Sequence, residues 1–161
     1  MKIVLFQPQI PQNTGNIVRT CKATGADLIL VGPCGFKTSN RYLKRAGLDY
    51  WEGVNVTLID NLSLYLETVP RFFLFSSKGK THYTNIVYEW DDHLIFGSET
   101  TGLPESLLLE HRDRLVTIPM QEGARCLNLA NSAAIGAYEL IRQAGFPKEP
   151  LLQNLEVHRD L

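Results

Sequence analysis

Short apolar runs separated by amphipathic stretches dominate this 161-residue chain and constrain its fold. Several runs are apolar at consecutive positions, as strands buried on both faces of a parallel sheet are. The stretches between them have helical features. This alternation predicts an α/β fold, a mostly parallel sheet flanked by helices. The predicted strands are 2–6, 28–32, 54–59, 71–76, 93–97 and 115–118.

Five helices are predicted from their start and stop signals. Gly25, Gly47 and Gly145 follow three of them where a helix should end, and Pro104 begins another. The last helix is rich in alanine, glycine and serine, so either the sheet or a second subunit approaches it closely, or it is a plain buried helix. The predicted helices are 14–24, 40–46, 61–68, 104–111 and 128–144.

Length and composition indicate a single domain spanning residues 1–161. Hydrophobic residues make up 44% of the chain and charged residues 20%, enough for one core. No run approaches the roughly 18 apolar residues of a membrane span, and the first apolar run is too short for a signal peptide. We therefore expect a cytoplasmic protein with no membrane partner, and a loosely docked tail at 146–161.

Common nucleotide and metal motifs are missing from the sequence. Gly97 and Gly102 have the spacing of a phosphate-binding loop, yet Leu103 and Pro104 stand where that loop needs lysine and serine or threonine. No Gly-x-Gly-x-x-Gly follows the first strand, which argues against a dinucleotide-binding domain. The three cysteines and four histidines lack metal-ligand spacing, so reduced thiols and no metal are expected.

The net charge of −1 gives no general nucleic-acid signature, so an RNA site would need a local basic patch. One patch, 37–45, interleaves a tyrosine with basic residues, and a smaller one covers 78–83. Either could equally be a solvated helix face or a polar turn.

Two regions place glycine, amide and hydroxyl residues where a core element would carry larger apolar side chains: 11–19, and 96–104 together with 118–132. Such backbone is held for contact rather than for packing. Gly97 lets a flat adenine or ribose lie against the backbone, and Glu99 offers an acceptor. These loops suit an uncharged nucleoside better than a triphosphate, because no lysine or arginine lies among residues 97 to 103.

The first of these regions also begins a predicted helix. Asn13 or Thr14 can cap it, and Arg19 is expected near Asn13 and Asn16 on its polar side. An arginine beside two amides and a glycine suits a phosphate or a ribose, although an isolated surface arginine more often has no specific role.

Three motifs in these regions resemble those of the SPOUT superfamily of RNA methyltransferases. They are Asn-x-Gly-Asn-x-x-Arg at 13–19, Phe-Gly-x-Glu-Thr-x-Gly-Leu-Pro at 96–104, and Ile-Pro-Met at 118–120 followed by Arg-x-Leu-Asn-Leu-x-Asn-Ser at 125–132. The likeness covers about residues 3–145. It is closest to the tRNA (cytidine/uridine-2′-O)-methyltransferases that act on the wobble nucleotide, through further stretches at 9–17, 32–36, 44–50 and 138–139.

The resemblance implies a trefoil knot in the C-terminal half, S-adenosyl-L-methionine (S-adenosylmethionine) bound in the knotted loops, and a homodimer. Asn128 would lie beside the cofactor. The matched motif positions assign the cofactor pocket to Phe75, Gly97, Ile118, Cys126 and Leu127.

The implied reaction is 2′-O-methylation of the ribose at tRNA position 34, in cytidine or a modified uridine. Matched positions place Arg19 and Asn13 at the target ribose and Glu99 and Asn128 at the reacting centre, which makes these four the predicted catalytic residues. A guanidinium stays charged, so Arg19 is expected to bind phosphate and stabilise the developing 2′-oxygen charge. The proton would pass to solvent or to a neighbour such as Glu99.

The implied partner is tRNA, whose wobble base lies in a single-stranded loop and can be splayed out. One small domain offers little surface for tRNA, so a second subunit is expected to contribute part of the site. The predicted RNA contacts are Arg41, Tyr42, Lys44, Arg45 and Tyr138.

One position departs from the family pattern: Cys126 stands where the family usually has serine. A backbone role would survive this exchange, whereas a thiol is a much weaker hydrogen-bond partner than a hydroxyl. Two alternatives therefore stay open. The chain could methylate another tRNA or ribosomal RNA site, or it could be a non-catalytic module that binds S-adenosylmethionine or RNA.

Overall fold

The computed structural model describes residues 1–36 and 53–146, and within them seven strands form one sheet. The strand order is β3-β2-β1-β6-β4-β7-β5, and every described strand pair is parallel. The predicted parallel α/β fold is confirmed. The strands are β1 Lys2–Phe6, β2 Asp27–Val31, β3 Val56–Ile59, β4 Phe72–Phe75, β5 Thr81–His82, β6 His93–Phe96 and β7 Leu115–Thr117.

In the described parts of the chain, four α-helices cover the two faces of the sheet. They are α1 Pro11–Thr24, α2 Leu62–Glu67, α3 Glu105–Glu110 and α4 Leu129–Ala144. Alternate residues of the central strands point to opposite faces, so the sheet contributes to two apolar clusters. One cluster joins the sheet to α1 and α4, and the other joins it to α2 and α3.

The small residues of α4 allow a close approach to the sheet. A Cβ atom on Gly136 would lie 2.9 Å from Cζ of Phe75, which is closer than carbon atoms pack. Ala133 and Ala137 are fully buried in the cluster that α1 also joins. The sheet is therefore one neighbour that the small residues of α4 accommodate.

Most predicted elements lie within two or three residues of the observed ones, and two expectations were wrong. The strand β5 was missed because its two residues lie in the polar stretch 78–83 and carry no apolar run. Helix α1 begins at Pro11 with Ile10 at its N-cap, and no side chain caps it, so neither Asn13 nor Thr14 has that role. The predicted helix 40–46 and all but the first residue of the tail 146–161 lie outside the described residues.

Among the described residues, no helix combines the length and the hydropathy that a bilayer span needs.

Candidate active site

A cleft of about 290 Å³ opens at the carboxyl edge of the sheet. Parallel strands bring their C-terminal loops to one edge, where α/β proteins commonly bind ligands. The loops after β4, β6 and β7 contribute to it, together with the segment before α4 and the start of α1. Its lining residues are Ile10, Asn13, Phe75, Ser76, Ser77, Phe96, Gly97, Ser98, Glu99, Gly102, Leu103, Ile118, Met120, Cys126, Leu127, Asn128, Leu129 and Ser132.

The carboxylate of Glu99 binds the beginning of α1. Its Oε2 accepts a hydrogen bond from the backbone N–H of Gln9 at 2.8 Å. Its Oε1 accepts from the backbone N–H of Ile10 at 3.2 Å and from Nδ2 of Asn13 at 2.9 Å. Three N–H groups from residues some 90 positions away in sequence thus converge on one side chain. A negative charge at this position also complements the positive end of the α1 dipole.

The side chain of Asn128 connects these hydrogen bonds to the start of α4. Its Nδ2 donates to Oδ1 of Asn13 at 2.9 Å, and its own Oδ1 accepts from the N–H groups of Ala130 and Asn131. Asn128 is therefore the N-cap of α4 and a partner of Asn13 at once. We call Glu99, Asn13 and Asn128 the carboxyl-edge network. It connects all three sequence motifs through side-chain hydrogen bonds.

The loop after β6 is a tight turn that leaves no space for a side chain at Gly97. A Cβ atom there would lie 2.3 Å from the carbonyl carbon of Gly102 and 2.4 Å from the nitrogen of Leu103. Ser98 and Gly102 exchange backbone hydrogen bonds of 3.2 and 2.9 Å, and Gly102 has a φ of 68°, in the left-handed region. The turn that forms one wall of the cleft is therefore closed by its own backbone.

The chemistry of the cleft fits S-adenosylmethionine. Phe75, Ile118 and Leu127 provide apolar surface for an adenine, and serine hydroxyls provide polar contacts. Glu99 is the one charged side chain among the described lining residues. A cleft with a carboxylate and no described lysine or arginine suits a cationic sulfonium compound and disfavours a polyphosphate.

One cysteine lines the cleft, and a second lies within the influence of the Glu99 charge. Cys126 is exposed and lines the cleft. Cys34 is half-buried, and burial together with the charge of Glu99 raises the pKa of its thiol. Both are free thiols, as the sequence predicted.

The cleft brings together most of the predicted site residues. Asn13, Glu99 and Asn128 of the predicted catalytic set line it, as do all five predicted cofactor contacts: Phe75, Gly97, Ile118, Cys126 and Leu127.

Other predicted site residues lie elsewhere. Arg19 is exposed on α1 and is not among the lining residues of the cleft. It lies six positions after Asn13, about 120° around the helix, so the two side chains leave α1 in different directions. Tyr138 is 49% exposed on α4, also outside the cleft. The remaining predicted RNA contacts, Arg41, Tyr42, Lys44 and Arg45, lie outside the described residues.

Sequence reasoning missed Ile10 as a cleft residue and did not anticipate that Gln9 binds Glu99 through its backbone. Both belong to the 9–17 stretch that resembles the wobble-nucleotide enzymes, which was the available signal. Almost every residue type has a backbone N–H, so the sequence does not indicate which of these groups binds Glu99.

Comparisons with known proteins agree with this geometry. The model of the SpoU rRNA methylase family matches residues 1–138. A Methylovorus glucosotrophus protein named tRNA (cytidine(34)-2′-O)-methyltransferase is 45% identical over 150 residues, covering 89% of this chain and 96% of that protein. A Geobacillus stearothermophilus protein, whose name assigns the same activity provisionally, is 48% identical over 153 residues, covering 91% and 96%.

Solved structures give the same result. A structure described as giving insights into 2′-OH methylation of C/U34 on tRNA has a TM-score of 0.80 and 43% identity, covering 88% of this chain and 89% of that chain. An rRNA methyltransferase from Sinorhizobium meliloti with S-adenosylmethionine bound has a TM-score of 0.76 and 26% identity, covering 88% and 55%. The cofactor of these enzymes is S-adenosylmethionine, and the chain belongs to the SpoU family of RNA methyltransferases.

Proposed function

We propose that this protein transfers the methyl group of S-adenosylmethionine to the ribose 2′-oxygen of nucleotide 34 of tRNA, with cytidine as the principal target. The names of relatives that match nearly the whole chain support the position. The observation that carries the proposal in the structure is the carboxyl-edge network, which connects the three motif regions at a cleft suited to a sulfonium nucleoside.

Five residues hold the cofactor in this proposal: Phe75, Gly97, Ile118, Cys126 and Leu127. When bound, S-adenosylmethionine supplies an electrophilic methyl group on a sulfonium that leaves as a neutral thioether. The apolar side chains exclude water from the adenosine side, and the closed turn after Gly97 presents backbone groups to it. No metal is needed, because in-line displacement at a methyl group depends on positioning.

Three residues position the reaction. The oxygens of Glu99 already accept three N–H bonds, so we assign it the role of holding the start of α1. Asn13 and Asn128 then present fixed amides toward the target ribose. With Glu99 engaged in this way, the 2′-hydroxyl proton passes to solvent as the oxygen attacks the methyl carbon.

Arg19 completes the site in a homodimer. Within one chain it lies on α1 away from the cleft, so we propose that Arg19 of the partner subunit reaches the target nucleotide, binds an adjacent phosphate and stabilises the developing 2′-oxygen charge. Tyr138 and the segment with Arg41, Tyr42, Lys44 and Arg45 contact the tRNA in the same assembly.

The proposal includes three further features: a trefoil knot in the C-terminal half, which the motifs support, one domain over residues 1–161, which length and composition support, and a cytoplasmic location. The second candidate function is 2′-O-methylation of ribosomal RNA, which the description of the matching family model favours.

The test is transfer of labelled methyl groups from S-adenosylmethionine to total tRNA and, separately, to ribosomal RNA, both from a strain that lacks the gene. Nucleoside mapping should find 2′-O-methylcytidine at position 34, and Arg19→Ala should abolish it. Labelling of ribosomal RNA alone would favour the second candidate. Cofactor binding without transfer to either pool would indicate a non-catalytic module. Cys126→Ser should keep full activity if residue 126 acts through its backbone.

A further inference from the structure

Ile10 is an apolar residue at a position where helices prefer a polar one. It is the N-cap of α1, and its side chain makes no capping hydrogen bond. Serine, threonine, aspartate and asparagine are favoured at N-caps because their side chains bind the free N–H groups of the first turn, and aliphatic residues rank low there. Isoleucine at residue 10 therefore does not stabilise α1 by capping it.

Packing does not explain this residue either. The side chain of Ile10 is 43% exposed and belongs to neither apolar cluster of the described residues. It lines the cleft together with Asn13 and Glu99. Its place in the cleft lining, rather than its exposure, makes this aliphatic residue available to a ligand.

Both backbone groups of Ile10, its N–H and its carbonyl, form hydrogen bonds. Its N–H donates to Glu99 at 3.2 Å, and its carbonyl accepts from the N–H groups of Asn13 and Thr14 at 3.1 and 3.3 Å. Pro11 follows and fixes its own φ at the first position of the helix. Ile10 is thus held at a fixed point of the cleft wall, beside the residues assigned to the target ribose.

We propose that Ile10 is a positioning residue for the RNA, whose side chain packs against the face of the unstacked base of the target nucleotide. This inference rests on the proposed function. A base removed from the anticodon loop loses the stacking of its neighbours, and van der Waals contact with an apolar side chain beside the ribose site replaces part of it. The contact is made through the face of the base, so it accepts either pyrimidine.

The substitution Ile10→Ser separates this role from a structural one. Serine is a good N-cap, so the variant should be as stable as the wild type or more stable. Its kcat/KM for tRNA should fall by about tenfold, mostly through KM, the size expected when one aliphatic side chain loses part of its burial. Its affinity for S-adenosylhomocysteine, measured by calorimetry, should not change. Ile10→Val should restore most of the activity.

A matched control is Leu64→Ser on α2, where a side chain that is 60% exposed lies outside the cleft. It should leave the tRNA KM unchanged. Three results would overturn the inference: full activity of Ile10→Ser, weaker binding of S-adenosylhomocysteine, or a lower mass in sedimentation that indicates loss of a dimer contact. Failure of the wild-type protein to methylate tRNA would instead contradict the proposed function.

Discussion

Each of the two edges of the sheet carries a polar network, and the two networks have different roles. At the carboxyl edge, Glu99, Asn13 and Asn128 connect three distant segments and line a cleft. At the amino edge, the carboxylate of Asp92, which has no exposed surface, accepts from Nε of Arg71 at 2.6 Å and from the N–H of Glu89 at 2.8 Å. Polar interactions alone therefore do not mark a site.

The polar network at the amino edge has a structural role. The carbonyl of Asp92 accepts from the N–H of Lys2, so the network fixes the start of two neighbouring strands. Beside it, His93 is buried and its Nδ1 lies 2.8 Å from the hydroxyl of Tyr65. Burial is the main reason that the pKa of His93 is lowered to about 4, so its ring is neutral at pH 7. The difference between the edges is whether the polar groups face a cavity.

The largest effect is expected for Gly97→Ala at the carboxyl edge. The new Cβ atom would overlap the backbone of Gly102 and Leu103, which cannot move without opening the turn. We expect a loss of about 3 kcal/mol in the free energy of unfolding and loss of S-adenosylhomocysteine binding, measured by denaturation and calorimetry. Gly32→Ala is the control, since its Cβ atom would have no neighbour nearer than 3.8 Å. A stable Gly97→Ala protein with normal binding would show that the turn in the cleft wall does not require glycine at residue 97.

Asn128→Ala should next test whether the carboxyl-edge network serves activity. Loss of its amide removes one of the two hydrogen bonds that hold the side chain of Asn13, and a misplaced target ribose should lower kcat/KM by about 100-fold. The lost helix cap should cost about 1 kcal/mol of stability. Asn61→Ala removes the matching N-cap of α2, where Oδ1 of Asn61 accepts from Leu64. Asn61→Ala should have the same stability loss with unchanged methyl transfer. Equal activity losses in both variants would contradict the role of Asn128 in positioning the target ribose.

Asp92→Ala is expected to lower the free energy of unfolding more than the activity, which is the opposite of Asn128→Ala. The N–H of Glu89 loses its carboxylate partner, and Arg71, which is 40% exposed, can regain water. We expect a loss of about 2 kcal/mol in the free energy of unfolding. The kcat/KM measured well below the melting temperature should remain within twofold of wild type. A large loss of activity in fully folded protein would show that the two edges are coupled.

The smallest expected effect is a pH dependence of stability from His93. Its pKa is about 4 in the folded protein and near its ordinary 6.5 in the unfolded chain. The unfolded state binds the proton more readily, so stability should decrease as the pH falls from about 6.5 to 4, by at most about 1.4 kcal/mol per pH unit. Below that window the contribution is constant. His93→Asn, compared with wild type in urea titrations, should lose this part of the pH dependence and retain the rest.

The sequence predicted the parts of this molecule that depend on residue type. Consecutive apolar residues predicted β1, β2 and β6, and the motifs predicted that Asn13, Glu99 and Asn128 would meet. It could not predict β5, a two-residue strand that exists because β7 offers a free edge. Nor could it predict that Glu99 binds backbone N–H groups, because every residue type there except proline has one.

The α1 N-cap was predicted wrongly for an instructive reason. Asn13 is a favoured capping residue, yet its side chain donates to Glu99 and accepts from Asn128 instead. Local propensity was outweighed by partners that lie 86 and 115 positions away in sequence. Such long-range competition is typical of functional sites, where a residue with a good local role is used for another one.

The strand order has a consequence for how the chain is made. β6 pairs with β1 on one side and β4 on the other, although almost ninety residues separate it from β1. During synthesis on the ribosome, β1 to β3 emerge first, and the inner edge of β1 keeps its N–H and carbonyl groups unpaired until residue 96 has left the exit tunnel. An unpaired apolar strand edge is a site for aggregation, and pairings so distant in sequence form slowly. Nascent chains that stop before β6 should therefore be the form most dependent on chaperones.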